Sequence, residues 1–189
     1  GLAVGSSVPQ IVLKQALFAE LDIFGSHSPF LVVKVHPFEK MDENLLVGKR
    51  SLFLTLQEPS NLGAVLRSAA AFGITDIILG EGCCHPFHPK SSRASSGTVF
   101  QHQFYKGPSM AQLKMTRVPT IALDLNGEGI QSFRWPESFI LVCGEEGRGV
   151  SSNFEPTHRV NIPISKDVES LNATVATSLA LFMAQMKNN

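Results

Sequence analysis

Arg67 is the one cation in the stretch QEPSNLGAVLRSAAAFG, Gln57 to Gly73, where its neighbours are mostly glycine, alanine and apolar residues. A guanidinium offers a planar fork of donors that can grip a phosphate or carboxylate with two hydrogen bonds. Small neighbours would let a ligand come close to it. A second stretch, CGEEGRGV from Cys143 to Val150, sets three glycines around Glu145, Glu146 and Arg148. Glycines at that density let backbone approach a ligand, but the order G-x-x-G-x-G is not the dinucleotide fingerprint, and Asn153 to Pro156 follows in place of a long helix. In a third stretch, IPISKDVESLNATVA from Ile162 to Ala176, Ser170 or Asn172 can cap a helix, and Asp167 and Glu169 sit where carboxylates favour its positive end. Cys83, Cys84, His85 and His88 crowd one loop, yet adjacent cysteines point apart and no second C-x-x-C or H-x-x-x-H half lies nearby, so no metal is expected.

The 189 residues carry 16 basic and 16 acidic side chains, so net charge gives no support to a nucleic-acid partner. Its distribution does. Between Glu81 and Asp124 there is no acidic residue, while Lys90, Arg93, Lys106, Lys114 and Arg117 lie inside that window with His85, His88 and His102. Such a stretch can neutralise phosphates. Three cysteines are an awkward set for a disulfide framework, and reduced thiols are expected. The apolar runs are too short to span a membrane, and residues 1–10 show no secretory pattern, which predicts a cytoplasmic protein.

These residues need elements to hold them. Residues 11–24 show helical spacing, and Pro29 to Val35 reads as a buried strand. From Ser51 a regular alternation begins. Strands are predicted at residues 51–56, 75–80, 97–105, 120–125, 138–144 and 159–164, a first helix after Pro59, a short one over 108–117, and a last one from Ser170 to Met186. In the first helix Pro59, Ser60 and Asn61 supply the stop and cap, and Gly73 the end. Leu62, Val65, Leu66, Ala69 and Phe72 form its core face, leaving Gly63, Ala64, Arg67 and Ala71 outward. Consecutive Ile, Leu and Val strands separated by helices predict an α/β domain, a parallel sheet with helices on both faces. In such sheets ligands bind beyond the carboxyl ends of the strands.

In order, N-L-G-A-V-L-R-S-A-A-A-F-G, R-A-S-S-G-T (Arg93 to Thr98), G-E-E-G-R-G and I-P-I with E-S-L-N resemble the motif set of the SpoU (TrmH-like) RNA ribose 2′-O-methyltransferases of the SPOUT superfamily. The similarity spans about Ser51 to Met186. It implies a deep C-terminal trefoil knot, an exception to the rule that chains do not thread, and S-adenosylmethionine as cofactor without metal. It also implies tRNA or rRNA as substrate and a homodimer in which one subunit's helix residues complete the other's site. Carried over by position, Leu123, Gly144, Ile162 and Leu171 match cofactor contacts; Asn61, Arg67, Glu146, Ser170 and Asn172 match the polar catalytic set; Arg67, Lys90 and Arg93 are the expected RNA contacts. Residues 11–48 are similar to the end of a small L30e-like RNA-binding domain, which predicts a division into 1–48 and a catalytic domain at 49–189.

A ribose hydroxyl is a poor nucleophile near neutral pH and needs a proton acceptor and placement in line with the methyl group. A guanidinium ordinarily stays protonated, so Arg67 can serve as a base only in special surroundings, or else bind phosphate and orient the hydroxyl. The chain departs from the family at Glu145, Ile164, Ala173 and Thr174. These departures keep open an alternative, a non-catalytic RNA-binding module on the same fold.

Overall fold

The structure, a computed structural model, describes residues 9–115, 117–144 and 149–186. The chain forms two compact units, Gly1–His36 and Pro37–Asn189.

In the first unit α1 spans Gln15–Leu21, shorter than the 11–24 its spacing predicts. The Asp22 carboxylate ends it by accepting from the Ser26 amide and hydroxyl and the His27 amide at 2.7–3.0 Å. The strand expected at Pro29–Val35 is absent, and Val32 is 93% exposed. Apolar β-branched residues favour extended chain, but a strand also needs a neighbour for its backbone groups. None pairs with this stretch among the described residues.

The second unit holds a seven-stranded, all-parallel sheet in the order β1-β4-β3-β2-β6-β5-β7. The strands are β1 (Glu39–Lys40), β2 (Arg50–Leu54), β3 (Asp76–Leu79), β4 (Gln103–Lys106), β5 (Thr120–Gly129), β6 (Phe139–Val142) and β7 (His158–Asn161). At the centre, β2, β3 and β6 are apolar on both sides, as strands covered on two faces must be. Leu52, Leu54, Ile77 and Leu141 pack into one core with the helices α2 (Pro59–Ala71) and α4 (Ala173–Met186). Phe53, Ile78, Ile140 and Val142 alternate to the other face. There the cover is Leu46, Met110, Leu113, Val118 and Phe154, from short 3₁₀ turns and irregular chain. Among the described residues, the α-helices of this unit therefore lie on one face, not both. The helix expected at 108–117 is only a 3₁₀ turn at Met110–Gln112.

Three further differences have local causes. Left-handed Ser96 and Gly97 (φ 51° and 85°) lead into a 3₁₀ turn at Thr98–Gln101, so the strand predicted over 97–105 starts at Gln103. The cap of α2 is Glu58, whose carboxylate accepts from the Ser60 amide, which leaves the Asn61 side chain to other work. Gly63 does not face outward: it is buried, and a Cβ there would lie 2.2 Å from the Ser91 carbonyl oxygen of α3 (Pro89–Ala94). Among the described residues no helix is long and apolar enough to cross a membrane.

Candidate active site

A cavity of about 780 Å³ opens beyond the carboxyl ends of β6 and β7 and beside the irregular stretch of β5 between Leu123 and Glu128, where its pairing with β7 shifts register. Leu123 to Asn126 form one wall, Cys143 and Gly144 with Gly149 and Val150 a second, Ile162 and Ile164 a third, and Glu169 to Ala173 with Asn61 the rim. A sheet delivers these segments together because parallel strands end side by side. Gly144 must be glycine, since a Cβ would meet the Gly149 carbonyl carbon at 2.6 Å.

The rim is tied by side chains. Asn172 caps α4, its Oδ1 accepting from the amides of Thr174 at 2.8 Å and Val175 at 3.4 Å. The helix therefore begins at Ala173, three residues later than predicted. The Asn172 amide group also donates to Asn61 Oδ1 at 3.5 Å, and the Thr174 hydroxyl lies 3.3 Å from the Asn61 carbonyl oxygen. Deeper in, buried Thr177 donates to Cys143 Sγ at 3.2 Å and pins α4 to the end of β6.

Asp124 supplies a carboxylate to the wall. The Asn126 amide at 2.9 Å and the Arg159 guanidinium at 2.5 Å hold it below its ordinary range, against the opposing effect of burial. It stays ionised and is already paired. Glu169, exposed at the rim, adds a second carboxylate. The lining mixes the Asp124 and Glu169 carboxylates with apolar Leu123, Ile162, Leu171 and Ala176, which suits a ligand that has both polar and apolar parts. Among the described residues no group of His, Cys, Asp and Glu could hold a metal ion. Cys83 is held as a thiol, its pKa raised by its hydrogen bond with Cys84 and by burial.

The structure brings Asn61, Leu123, Gly144, Ile162, Ser170, Leu171 and Asn172 to this cavity. It places Arg67, Lys90 and Arg93 elsewhere, exposed on α2 and α3. Glu146, with Glu145 and Arg148, lies outside the described residues. Sequence reasoning missed Asp124, Thr174 and Thr177. Asp124 had a signal, a carboxylate at the end of an apolar strand; Thr177, inside a helical run, had none.

The family model described as the SpoU rRNA Methylase family matches residues 52–182. The chain belongs to the SpoU rRNA methylase family. Among its relatives, a protein of Syntrophobacter fumaroxidans called Ribosomal RNA small subunit methyltransferase G 2 is 42% identical over 169 residues, covering 88% of this chain and 33% of that protein. The 23S rRNA (guanosine(2553)-2′-O)-methyltransferase RlmP of Bacillus subtilis is 31% identical, over 75% of this chain and 60% of its own. Of solved structures, an AdoMet-bound rRNA methyltransferase from Sinorhizobium meliloti superposes with a TM-score of 0.68 at 27% identity, covering 74% of this chain and 57% of that one. The chain thus spans about a third to three fifths of the length of these curated relatives. The parallel α/β sheet is common ground between this chain and that neighbour.

Proposed function

We propose that this chain is the catalytic part of an S-adenosylmethionine-dependent methyltransferase acting on a ribose 2′-hydroxyl in tRNA or rRNA. One observation carries the reading: seven positions matching the family's cofactor and polar sets, from five separate segments, line one cavity at the strand ends. When bound, S-adenosylmethionine supplies an activated methyl group on a cationic sulfur. The residues of the chain do the rest. Leu123, Ile162 and Leu171 form an apolar slot, the glycine at 144 lets backbone close in, and the Asn61–Asn172 pair sets the rim where a ribose would rest. Arg67 grips the RNA phosphate and orients the hydroxyl, and Glu146 belongs to the same polar set.

We read residues 49–189 as the body of the catalytic domain, completed by β1 and Leu46 from residues 37–48, its C-terminal loops as a trefoil knot, and the segment ahead of Pro37 as an RNA-binding remnant. We also read the protein as a homodimer. In support, α4 exposes an apolar stripe, Val175, Leu179, Phe182 and Met186, each 41–60% exposed, with Phe72 of α2 beside Phe182 at 6.1 Å. A stripe of that kind needs a cover.

Calorimetry with S-adenosylmethionine and S-adenosylhomocysteine in the presence of a chelator, and transfer of labelled methyl to ribosomal and transfer RNA followed by nucleoside analysis, test the reading. Binding of both ligands and a 2′-O-methylated nucleoside are expected. RNA binding with no affinity for either ligand would leave the non-catalytic module instead.

A further inference from the structure

The sheet edge opposite the cavity strands is formed by β1 and β4, and a run of aromatic rings gathers around Phe104 of β4, the others coming from the segments that flank these strands. Phe100 lies 5.5 Å from Phe87, Phe87 6.4 Å from Phe38, and Phe38 stacks on His85 at 5.2 Å. Phe104, buried, anchors the run from within, 5.3 Å from Phe38 and 5.8 Å from Phe87. The outer members stay in solvent: His85 is exposed, Phe38 and Phe87 are half-buried, and Phe100 is 59% exposed. Rings already stacked and tilted against one another, with Phe100 and His85 open to solvent at the two ends, make a platform that gains by taking a further flat partner.

Cations frame the platform. Lys90 and Arg93 stand exposed on α3, which begins two residues after Phe87. Lys40 and Lys106 sit side by side in register between β1 and β4. Strand alternation puts Lys106 on the face of Phe104 and sends Glu39, opposite Tyr105, to the other face. Two like charges directly opposite each other destabilise a sheet, and neither lysine takes part in an ion pair found among the described residues. An anion laid across them removes that cost. No acidic residue occurs between Glu81 and Asp124 to provide one from within.

We propose that this face binds single-stranded RNA flanking the methylated nucleotide, with bases stacked on Phe100 and His85 and phosphates held by Lys40, Lys90 and Lys106. The inference rests on RNA being the substrate. The chemistry favours unpaired strand over duplex, because a base must be free to present its face to a ring. A second copy of the chain is a poor occupant, since a two-fold contact would set the basic frame against itself.

The test uses the full chain and a fluorescent oligoadenylate of about 12 nucleotides, comparable to the site sizes of single-strand binders. Anisotropy should show Phe100→Ala binding roughly 10-fold more weakly, the scale of one lost stack, with the salt slope unchanged. Lys106→Ala should lower that slope by about one. Phe100→Trp should keep the affinity, and its indole emission should fall on addition of oligoadenylate. Phe100 is mostly in solvent, and S-adenosylhomocysteine binding by each variant reports an intact fold. Equal affinity for wild type and Phe100→Ala would overturn the assignment, as would a change of oligomeric state on that substitution, which would give the face to a second copy. A chain that binds S-adenosylhomocysteine but no oligoadenylate overturns this inference and leaves the cofactor site standing. One that binds oligoadenylate through Phe100 and no cofactor does the reverse.

Discussion

The amide group of Asn172 donates to Oδ1 of Asn61 across 111 residues of chain, while its own Oδ1 caps α4. One side chain therefore does two jobs with two different atoms, and they can be separated. Asn172→Asp keeps an acceptor for the cap and should leave the melting temperature within a degree or two of wild type. It cannot donate to Asn61, and it turns a carboxylate toward that acceptor, so methyl transfer should fall by roughly 10-fold or more. Asn172→Ala should lose both, with about 1 kcal/mol of stability gone with the cap. Normal turnover in Asn172→Asp, measured at saturating cofactor and RNA, would show that the link to Asn61 is incidental.

Gly63 sits in the middle of α2, where alanine would favour the helix by about 1 kcal/mol. Its Cβ would nevertheless lie 2.2 Å from the Ser91 carbonyl oxygen and 2.7 Å from Ala94 Cβ. Backbone has little room to yield, and overpacking of this kind costs about 1–3 kcal/mol. Gly63→Ala should therefore lower stability, read as a drop in the denaturation midpoint. A gain would mean that α3 shifts freely, and the close α2–α3 contact would not be a constraint.

The motif residues were legible because they lie where sequence marks structure: caps, glycine turns and the ends of apolar strands. Gly144 and Asn172 are of this kind. Pro29–Val35 was misread because composition reports the propensity of a segment but not whether a neighbouring strand exists to pair with it. Gly63 was misplaced by the same limit; a helical wheel shows which residues share a face, and only packing shows that α3 covers the small one. The Thr177–Cys143 contact joins a helix interior to a strand end 34 residues away, and neither residue type announces it.

Asp76, at the start of β3, is nearly fully buried and accepts from Lys49 Nζ at 2.7 Å, the Thr75 hydroxyl at 2.8 Å and the Tyr105 hydroxyl at 3.1 Å. Burial alone would raise its pKa, but these hydrogen bonds outweigh it and hold it below the ordinary 3.8. The folded value lies under the unfolded one, so the ionised group stabilises the fold above that ordinary value. The contribution fades as pH falls through the folded value. Wild type should thus exceed Asp76→Asn in melting temperature at pH 7, and the gap should narrow as the buffer is taken from about pH 5 to about pH 3. A gap that stays constant across that range would assign the effect of the substitution to packing rather than charge.

Arg67 is exposed on α2 and is not among the residues lining the cavity of its own chain, although Asn61, six residues earlier on the same helix, is. In the dimer reading, its guanidinium orients a ribose seated in the cavity of a neighbouring subunit. Arg67→Ala should then leave S-adenosylhomocysteine binding unchanged and cut turnover by roughly 10²-fold, the scale of a positioning or acid–base group. Arg67→Lys should recover little, because an ammonium lacks the planar fork. The sharper test mixes two impaired variants, Arg67→Ala and Asn172→Asp, after unfolding and refolding them together. In a two-fold dimer with shared sites, half of the mixed population is heterodimeric, and each heterodimer has one site with both groups intact. Activity should return to about a quarter of wild type. If Arg67 serves the cavity of its own chain, every site in the mixture carries one defect and activity stays at the average of the two variants. That outcome, with dimers confirmed by sedimentation, would remove the shared site from the mechanism.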